Sequence, residues 1–392
     1  MRAFGLEARL FALAVVVAPL AGPGAVQGQE PEKTTVHVSA LPAIDYSSDD
    51  GLGYGALGGV YGYRGDERGL YRWSFEPSVF FTTRGRREAI AVFDAPSLIA
   101  ANVRITVLAA FERDCCYPYF GLGNATPYDP ALRSPATGPN YYTYTRRRLS
   151  AVATVQWTVH SGVRLLAGVA AYHNRATSRG VVTLFARDSA AGVIRTSDFS
   201  ALSIGPKVGV VLDTRDRERD PHHGVWLEGL AWATGDFARY SATARGYAPL
   251  APPLTLAGRI MAEVVRGAIP ITMLPDMASS FRDFQGLGGG KSIRGVAKTR
   301  FLGTSRGLVN LELRWRAGEF RAAGQRWTPG LVAFTDGGRV WKPDAGTGSK
   351  AWHWGHGAGA RLTLGEAFMV ALDFGKSSES GLSMYLGLGH LF

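Results

Sequence analysis

The sequence predicts an all-β protein, a 16-stranded antiparallel transmembrane β-barrel. Three observations lead to this fold class. Apolar and polar residues alternate along unusually long stretches of the chain. Glycine accounts for 50 of the 392 residues and aromatic residues for 11%, whereas only 19% of residues are charged. The chain also begins with a segment that has the pattern of an export signal.

The alternation has the period of two that is typical of a strand with one apolar and one polar face. From Leu254 to Val264 every even position is apolar or glycine, and the odd face carries Thr255, Arg259 and Glu263. Soluble strands average about 5–6 residues, whereas tilted membrane strands need about 9–11. Because the polar faces also carry full charges, a water-filled lumen explains them better than a soluble sandwich. Similar alternation occurs at 149–159, 309–316 and 382–389.

Sixteen candidate strands can be placed along the chain, an even number, as in bacterial barrels. Three long connections, 113–141, 178–197 and 268–305, then lie outside the cell, and both termini face the periplasm. Short connections on the periplasmic side and long ones outside are the usual arrangement. The predicted strands are 35–47, 51–63, 69–83, 87–96, 100–112, 142–160, 163–177, 198–213, 224–235, 237–250, 253–267, 306–317, 329–340, 354–365, 367–376 and 381–392.

The N-terminal segment is interpreted as a signal peptide. Arg2 and Arg9 precede an apolar run from Phe11 to Ala21, and this run is too short to span a bilayer as a helix. We expect residues 1–28 to be removed, 29–34 to form a short periplasmic segment, and 35–392 to form the barrel. No other stretch holds 18 uninterrupted apolar residues, so no membrane-spanning helix is predicted. For an exported chain with these long alternating strands, the predicted location is the outer membrane of a Gram-negative-type bacterium.

The composition excludes several other classes. With 46% apolar residues the chain is not disordered, and its two cysteines exclude a disulfide scaffold and a four-cysteine zinc site. Cys115 and Cys116 are adjacent, and we expect them to form a strained vicinal disulfide without redox function, a redox role being the alternative. The eight histidines are scattered, so no metal site, cofactor or nucleic-acid partner is expected.

One glycine-rich segment carries a family resemblance. Residues 286–296, Gly-Leu-Gly-Gly-Gly-Lys-Ser-Ile-Arg-Gly-Val, resemble the pattern L-G-G-x-x-S-[LVI]-R-G-[FY] of the BamA/TamA superfamily of outer-membrane proteins, also called the bacterial surface antigen family. Val296 departs from it, because an aromatic residue usually stands there. Further segments that are similar to family motifs follow one another in the family's order: 119–124, 212–216 with Pro221 and Gly224, 306–314, and 332–341.

The resemblance implies roles for particular residues. The long extracellular loop would fold into the lumen, where Arg294 would pair with Asp336 on the inner wall, with Glu312 as the reserve partner. The chain would end with an assembly signal formed by Gly387 and by Phe392 inside the last strand. The remaining motif residues are Gly288, Gly289, Ser292, Ile293 and Gly295 in the loop, and Asp213, Arg215 and Asp216 in a periplasmic turn.

The resemblance also implies a function at the outer membrane, in the insertion or translocation of proteins or lipids. It covers the family's barrel without the periplasmic repeat domains that usually precede it. The expected partners are outer-membrane lipid, the barrel-assembly machinery during biogenesis, and periplasmic or membrane-protein clients. A porin-like passive channel is the main alternative. An outer-membrane enzyme fits less well, because no histidine follows a recognisable nucleophile motif.

Overall fold

The computed structural model describes residues 34–64, 71–133, 141–180, 182–218, 220–322, 324–342, 351–365 and 368–392. The predicted signal peptide, 1–28, and residues 29–33 lie outside the described residues. In the described ranges, no helix is both long enough and apolar enough to cross a membrane.

Sixteen long strands form the wall of the molecule. They are β1 Thr34–Ser47, β2 Gly51–Arg64, β3 Trp73–Thr82, β4 Arg86–Ala95, β5 Val103–Pro118, β6 Thr143–His160, β7 Val163–Ser178, β8 Ser200–Asp213, β9 Gly224–Ala233, β10 Phe237–Ala251, β11 Leu254–Gly267, β12 Ser305–Arg316, β13 Gln325–Lys342, β14 His353–Leu364, β15 Phe368–Ser377 and β16 Ser383–Leu388.

Each wall strand pairs antiparallel with its neighbours along the chain, and β1 pairs with β16 to close the barrel. The predicted 16-stranded barrel is therefore confirmed. The long loops lie together at one end, which we call the extracellular rim, and the opposite end is the periplasmic rim. Smaller elements are the helix Leu184–Ala190, the 3-10 turns Pro130–Arg133, Thr196–Phe199 and Ile271–Met273, the paired segments Asp276–Met277 and Phe284–Gln285, and a strand Phe320–Ala322 paired with the start of β13.

The alternation of side chains separates the two surfaces of the wall. On β11, Thr255, Arg259 and Glu263 are buried towards the inside of the barrel, whereas Ile260 is 63% exposed on the outside. In a membrane, the outer residues contact lipid and the inner polar residues contact one another, the inserted loop or water. The predicted assignment of the two faces of this strand agrees with the structure.

Several strand boundaries differ from the prediction, and two of the differences have a clear structural cause. Strand β5 runs to Pro118 rather than ending at 112, because a bulge between Asp114 and Tyr117 lets the pairing continue. The prediction that Phe392 lies inside the last strand is wrong, since β16 ends at Leu388. Gly389 has a φ of +77°, and its N–H donates to the Met369 carbonyl at 2.9 Å, so the chain turns away from the wall.

The bulge in β5 holds the two cysteines. Cys115 and Cys116 are free thiols whose Sγ atoms lie 2.7 Å apart, so the expected vicinal disulfide is not formed. The Cys116 N–H donates to the Asp114 carboxylate at 2.9 Å, and the Arg179 guanidinium donates to the Cys115 carbonyl at 3.0 Å. These hydrogen bonds to neighbouring groups hold the bulge backbone in place.

The apolar core lies inside the extracellular half of the barrel rather than between layers. Its main cluster is aromatic and includes Tyr119, Tyr144 and Phe185, where the Tyr144 and Phe185 rings stack with centroids 4.5 Å apart. A second cluster is formed by the long loop 268–304 against the wall. The loops therefore fill the upper lumen with packed side chains and position the site described next.

Candidate functional site

The tip of the long loop is a tight turn that depends on glycine. Gly288, Gly289 and Gly295 all have φ between +91° and +113°, a region that other residues rarely adopt. The Gly288 N–H donates to the Ser292 hydroxyl at 2.9 Å, and this hydroxyl donates back to the Gly288 carbonyl at 3.1 Å. A side chain on Gly295 would begin 2.5 Å from the Lys376 backbone nitrogen. The motif residues thus fold the tip and let it contact β15 directly.

Apolar residues hold this tip against the inner wall. Ile293 has no exposed surface and packs with Leu287 and Val296, both also buried. Val296 stands where the family pattern has an aromatic residue, yet it is 1% exposed. The smaller side chain therefore still serves as an apolar contact. Wall and loop residues that complete the cluster are Met261, Met277, Phe301, Leu308 and Val340.

Arg294 joins the loop to the wall at Asp336, as the resemblance implied. Its Nε lies 2.8 Å from Asp336 Oδ2 and its Nη2 lies 3.1 Å from Oδ1, while the Arg294 backbone N–H also donates to Oδ2 at 3.1 Å. The guanidinium carbon lies 3.4 Å from the centre of the Phe334 ring. Both charged residues are fully buried. The planar guanidinium thus makes the paired contact with a carboxylate that a lysine cannot make.

Two further carboxylates contact the same guanidinium. Arg294 Nη1 lies 2.8 Å from Glu312 and 3.0 Å from Asp373. Glu312, predicted only as a reserve partner, is therefore engaged at the same time as Asp336, and Asp373 was not predicted. Arg314 pairs with Glu312 at 2.8 Å and Arg361 with Asp373 at 2.6 Å. Three arginines and three carboxylates therefore form one network with no formal net charge.

Burial makes this network sensitive to the loss of any member. A buried charge that loses its partner costs about 3–5 kcal/mol, whereas the complete network can be close to neutral in stability. Burial opposes ionisation of Arg294, but Asp336 and Glu312 outweigh it, so the pKa of the guanidinium is raised. Arg294 therefore stays charged at neutral pH, and its ion pairs with three carboxylates anchor the docked loop.

Other ion pairs fasten the loop around the wall. Lys298 contacts Asp50, in the turn between β1 and β2, at 2.7 Å, and its backbone N–H donates to Asp49. Arg300 contacts Glu379, in the turn between β15 and β16, at 3.0 Å. On the other side of the barrel, Asp276 of the loop contacts Arg148 of β6 at 2.5 Å. Since these partners come from distant strands, the loop lies within the ring of the wall.

The seam between β1 and β16 is the second feature of the site. Only Tyr46 and Leu386, and Ser47 and Tyr385, are paired across it, whereas β1 makes fourteen residue pairs with β2. Ser48 adds two hydrogen bonds, because its N–H donates to the Met384 carbonyl at 3.0 Å and its hydroxyl accepts the Met384 N–H at 2.9 Å. On the periplasmic side of these two pairs, from residue 34 to 45, the edge of β1 that faces away from β2 has no strand partner among the described residues.

The exposed edge is unusual for a strand in a bilayer. Val38 is 76% exposed and Ile44 is 64% exposed. Unpaired backbone groups in lipid each cost several kcal/mol, so closed barrels normally leave none. Pro42 lies in the middle of β1 and cannot donate to a ladder, which suits a free edge. It does not mark the edge in the sequence, because Pro77 of β3 and Pro206 of β8 also lie inside wall strands.

The end of the chain crosses into the lumen next to the seam. The Arg314 guanidinium donates to the Phe392 carbonyl at 3.0 Å, and the Arg259 guanidinium lies 5.1 Å from the Phe392 ring. His390 contacts Asp220 of the β8–β9 connection at 3.1 Å. These contacts are the physical reason why Phe392 does not extend β16. Gly387 remains in β16 opposite Ala371, with open space where a side chain would stand.

A cavity of about 330 Å³ lies between the seam and the loop tip. It is lined by Asp45 of β1, by Tyr385 of β16 and by Lys291 of the loop. The Tyr385 hydroxyl accepts the Gly295 N–H at 3.1 Å, so a seam residue contacts the loop directly. The loop tip, the seam and this cavity therefore form one continuous site. Within the described residues, no group of three or more His, Cys, Asp or Glu residues has the arrangement of a metal site.

The predicted periplasmic turn motif is also brought together. Arg215 donates to both oxygens of Asp213, at 2.8 and 2.9 Å, and Arg164 of β7 contacts the same carboxylate at 3.2 Å. Asp216 accepts the N–H groups of His222 and of the residue after it, at 2.9 and 3.2 Å. These bonds within the turn indicate a structural role at the periplasmic rim.

Comparison with known proteins agrees with this geometry. The model of the Omp85 superfamily domain matches residues 102–390, which is most of the chain. The chain belongs to the Omp85 superfamily. The predicted resemblance to BamA/TamA-type barrels is thereby confirmed, and Omp85 membership places the protein in the outer membrane of Gram-negative bacteria. A search of the curated proteins finds no match.

Solved structures of Omp85 proteins share the fold. BamA from Haemophilus ducreyi lacking POTRA domains 1–3 superposes with a TM-score of 0.56 at 14% identity, over 92% of this chain and 71% of that one. CdiB from Escherichia coli gives a TM-score of 0.58 at 12% identity, over 90% and 63% of the two chains. CdiB from Acinetobacter baumannii gives 0.50 at 12% identity, over 91% and 66%. At these identities the likeness establishes the Omp85 barrel fold alone.

Proposed function

We propose that this Omp85 barrel inserts or translocates proteins at the outer membrane by opening between β1 and β16. The observation that carries the proposal is the unpaired edge of β1 from residue 34 to 45. An exposed strand edge is a template on which an incoming strand can form backbone hydrogen bonds. A client strand added there would satisfy groups that lipid cannot satisfy.

The geometry of the seam supports opening at low cost. The strands are joined by two residue pairs and by two hydrogen bonds between Ser48 and Met384, compared with fourteen pairs between β1 and β2. The docked loop would remain anchored mainly on β12, β13 and β15 through Glu312, Asp336 and Asp373. The part of the wall on the β16 side of the seam can therefore stay fixed to the loop while the seam separates. We propose no enzymatic role. The test below also distinguishes a protein cargo from a lipid cargo.

A disulfide staple across the seam tests the proposal. Tyr46→Cys with Leu386→Cys, in a Cys115→Ser/Cys116→Ser background, would lock a paired register position. Val38→Cys with Val60→Cys is the matched control, because it staples β1 to β2 and leaves the seam free. The protein would be placed in liposomes, and the folding of a small urea-denatured outer-membrane barrel would be followed by its heat-modifiable mobility on gels.

The unstapled protein and the Val38/Val60 control are expected to accelerate folding of the client barrel. The Tyr46/Leu386 staple should abolish the acceleration, and a reductant should restore it. Equal activity of stapled and reduced protein would contradict opening at the seam. Dithionite quenching of a fluorescent phospholipid in the same liposomes reports movement of lipid across the bilayer. If the protein does not accelerate folding of the client but moves this lipid only when the seam is unstapled, the cargo is lipid and the protein-client proposal is wrong.

A further inference from the structure

Four arginines stand in one row on the outer surface of the barrel. Arg87 of β4 pairs across strands with Arg113 of β5, Arg113 with Arg147 of β6, and Arg147 with Arg175 of β7. Adjacent strands lie about 4.8 Å apart, so the four α-carbons span about 15 Å. We call this set the arginine row. Like charges directly opposite one another in a sheet are destabilising, so the row requires an explanation.

The row faces away from the lumen. On β6, Arg146 and Arg148 are buried inside the barrel, whereas Arg147 between them is exposed. Arg87 and Arg175 are also exposed, and Arg113 is partly so. The outward positions that follow Arg147 along β6 are all apolar: Leu149, Ala151, Ala153, Val155 and Trp157.

The position of the row along the strands matches the edge of the membrane. Ten residues separate Arg147 from Trp157, which is about 34 Å along the strand and about 26 Å along the barrel axis at a tilt near 40°. The apolar band of an outer-membrane barrel is about 25 Å tall and is bordered by aromatic residues. With Trp157 at the periplasmic border, the arginine row lies at the extracellular border, where lipid headgroups are found.

Three charges of the row, those of Arg87, Arg113 and Arg147, are not balanced within the described part of the protein. In the described part of the chain, Arg87, Arg113 and Arg147 have no carboxylate within ion-pair distance, and the Nε of Arg113 has no hydrogen-bond partner. Their inward neighbours differ sharply. Arg146 contacts Glu112 and Asp276, each at 3.4 Å. The wall and the inserted loop thus supply carboxylates to the inward Arg146, and no described carboxylate pairs with these three.

We propose that the arginine row binds the phosphate groups of an anionic lipid in the outer leaflet. Guanidinium groups form paired, charge-assisted hydrogen bonds with phosphate oxygens, and these are stronger near lipid than in open water. Several adjacent guanidinium groups match a headgroup with more than one phosphate. The bound lipid would also remove the repulsion along the row. This site lies apart from the seam and the docked loop, and it does not depend on their function.

The test uses the full chain, purified in a neutral maltoside detergent and titrated with lipid A, a glycolipid that carries two phosphates. The variant is Arg113→Gln/Arg147→Gln. The matched control is Arg266→Gln, because Arg266 is an exposed outward residue at the same rim of β11 that faces Ala238 instead of another arginine. Arg113→Lys/Arg147→Lys serves as a second variant that keeps the charges. Heat-modifiable mobility first shows which variants have formed barrels.

Binding of lipid A would be measured by native mass spectrometry, with phosphatidylcholine and inorganic phosphate as comparison ligands. Each charge-assisted contact is worth at least about 1.4 kcal/mol, or about tenfold. The glutamine variant should therefore bind lipid A at least about tenfold more weakly, the lysine variant should lie in between, and Arg266→Gln should change by less than about twofold. Unchanged binding by the glutamine variant, or an equal loss in Arg266→Gln, would overturn the proposal.

Thermal unfolding provides an independent readout. Without lipid A, the glutamine variant should melt at the same or a higher temperature than the natural chain, because the repulsion is reduced. With lipid A, the natural chain should gain melting temperature and the glutamine variant should not. If inorganic phosphate alone gives the natural chain the full gain, the row is a free-phosphate site and the lipid proposal is wrong.

Discussion

Arg294 donates three hydrogen bonds to the Asp336 carboxylate, from its backbone N–H at 3.1 Å, from Nε at 2.8 Å and from Nη2 at 3.1 Å. The main chain of the loop and the side chain of the arginine thus contact the same acceptor. A mutation that removes the carboxylate therefore releases the loop backbone as well as the guanidinium. This relationship is the basis of the first prediction.

Removing either partner of this pair should destabilise the barrel, and the two effects should not add. Arg294→Ala leaves Glu312, Asp336 and Asp373 with too few cations, so it should be the more harmful change, up to about 3–5 kcal/mol for a fully buried charge and less if water enters. Asp336→Ala should cost less, and the double mutant less than the sum. The free energies of unfolding in urea would give the coupling energy. Strictly additive effects would show that the two residues do not act together.

Charges on the outer face of β11 should be harmful in a depth-dependent way. An arginine at the bilayer midplane of a barrel costs about 2–4 kcal/mol, and less near the interfaces. Ile260→Arg, in mid-strand, should reduce heat-resistant barrel on semi-native gels more than Leu256→Arg. The inward-facing Thr255→Arg should be mildest. Equal damage at Leu256 and Thr255 would contradict the assignment of the two faces.

The terminal aromatic residue should be needed for assembly in cells. Deleting Phe392 is expected to leave the chain unassembled in the periplasm, while the same deletion should still fold in detergent. Gly387→Ala should be tolerated, because the space beside it is open. Heat-modifiable mobility after cell fractionation would report assembly. Normal levels of barrel from the deletion would mean that Phe392 serves only its contacts with Arg259 and Arg314 in the lumen.

The docked loop should restrict ion flow through the lumen. The natural chain is expected to give small, flickering currents in planar bilayers, because loop and wall residues fill the upper lumen. Arg294→Ala should increase the conductance, since the tip loses its ionic anchor, whereas the surface change Arg266→Gln should not. Large steady currents from the natural chain would instead support the porin-like alternative.

Acid should loosen the loop at the extracellular rim. Burial works against ionised Asp50, but Lys298 and Arg86 outweigh it and lower the pKa of Asp50 below 3.8. Burial likewise opposes ionised Glu379, but His353 and Arg300 lower its pKa below 4.5. A lowered carboxyl pKa contributes stability at neutral pH that is lost as the pH falls through the folded pKa. Amide hydrogen exchange of residues 286–304, corrected for intrinsic rate, should therefore be protected at pH 7 and faster below pH 3.8.

Asp50→Asn provides the control for this pH effect. It should make the amides near Lys298 exchange faster already at pH 7, with little further change in acid at that end of the loop. Protection that is unaffected by both acid and Asp50→Asn would mean that the ion pair at 2.7 Å does not hold the loop.

The wall could be predicted from the sequence because alternation is local. For β11 the prediction of 253–267 differs from the observed Leu254–Gly267 by one residue. Arg294 and Asp336 could be paired only through the family resemblance, since they are 42 residues apart. Asp373 is 79 residues from Arg294, and its role depends on how strands meet across the lumen. The one local feature that could have pointed to a role for Asp373 is that it is the single carboxylate in β15.

The inward course of the chain end could not be predicted from the sequence for the same reason. Phe392 follows an alternating stretch, so the local pattern extends the strand to it. Arg314, which contacts Phe392, and Asp220, which contacts His390, come from distant segments. The arginine row could not be predicted from the sequence, because each arginine is unremarkable within its own strand. Only the register of four strands brings Arg87, Arg113, Arg147 and Arg175 into line.

The central claim is that β1 and β16 are joined only at their extracellular ends, and cysteine cross-linking along the seam tests it most directly. In a Cys115→Ser/Cys116→Ser background, Tyr46→Cys/Leu386→Cys probes the observed pairing, and Ala43→Cys/Gly389→Cys probes the position that would be opposed if the same register continued. In nanodiscs under mild oxidation, the first pair should cross-link nearly completely and the second should remain reduced. Equal, rapid cross-linking of both pairs would mean that the seam is closed along its length and would contradict the account.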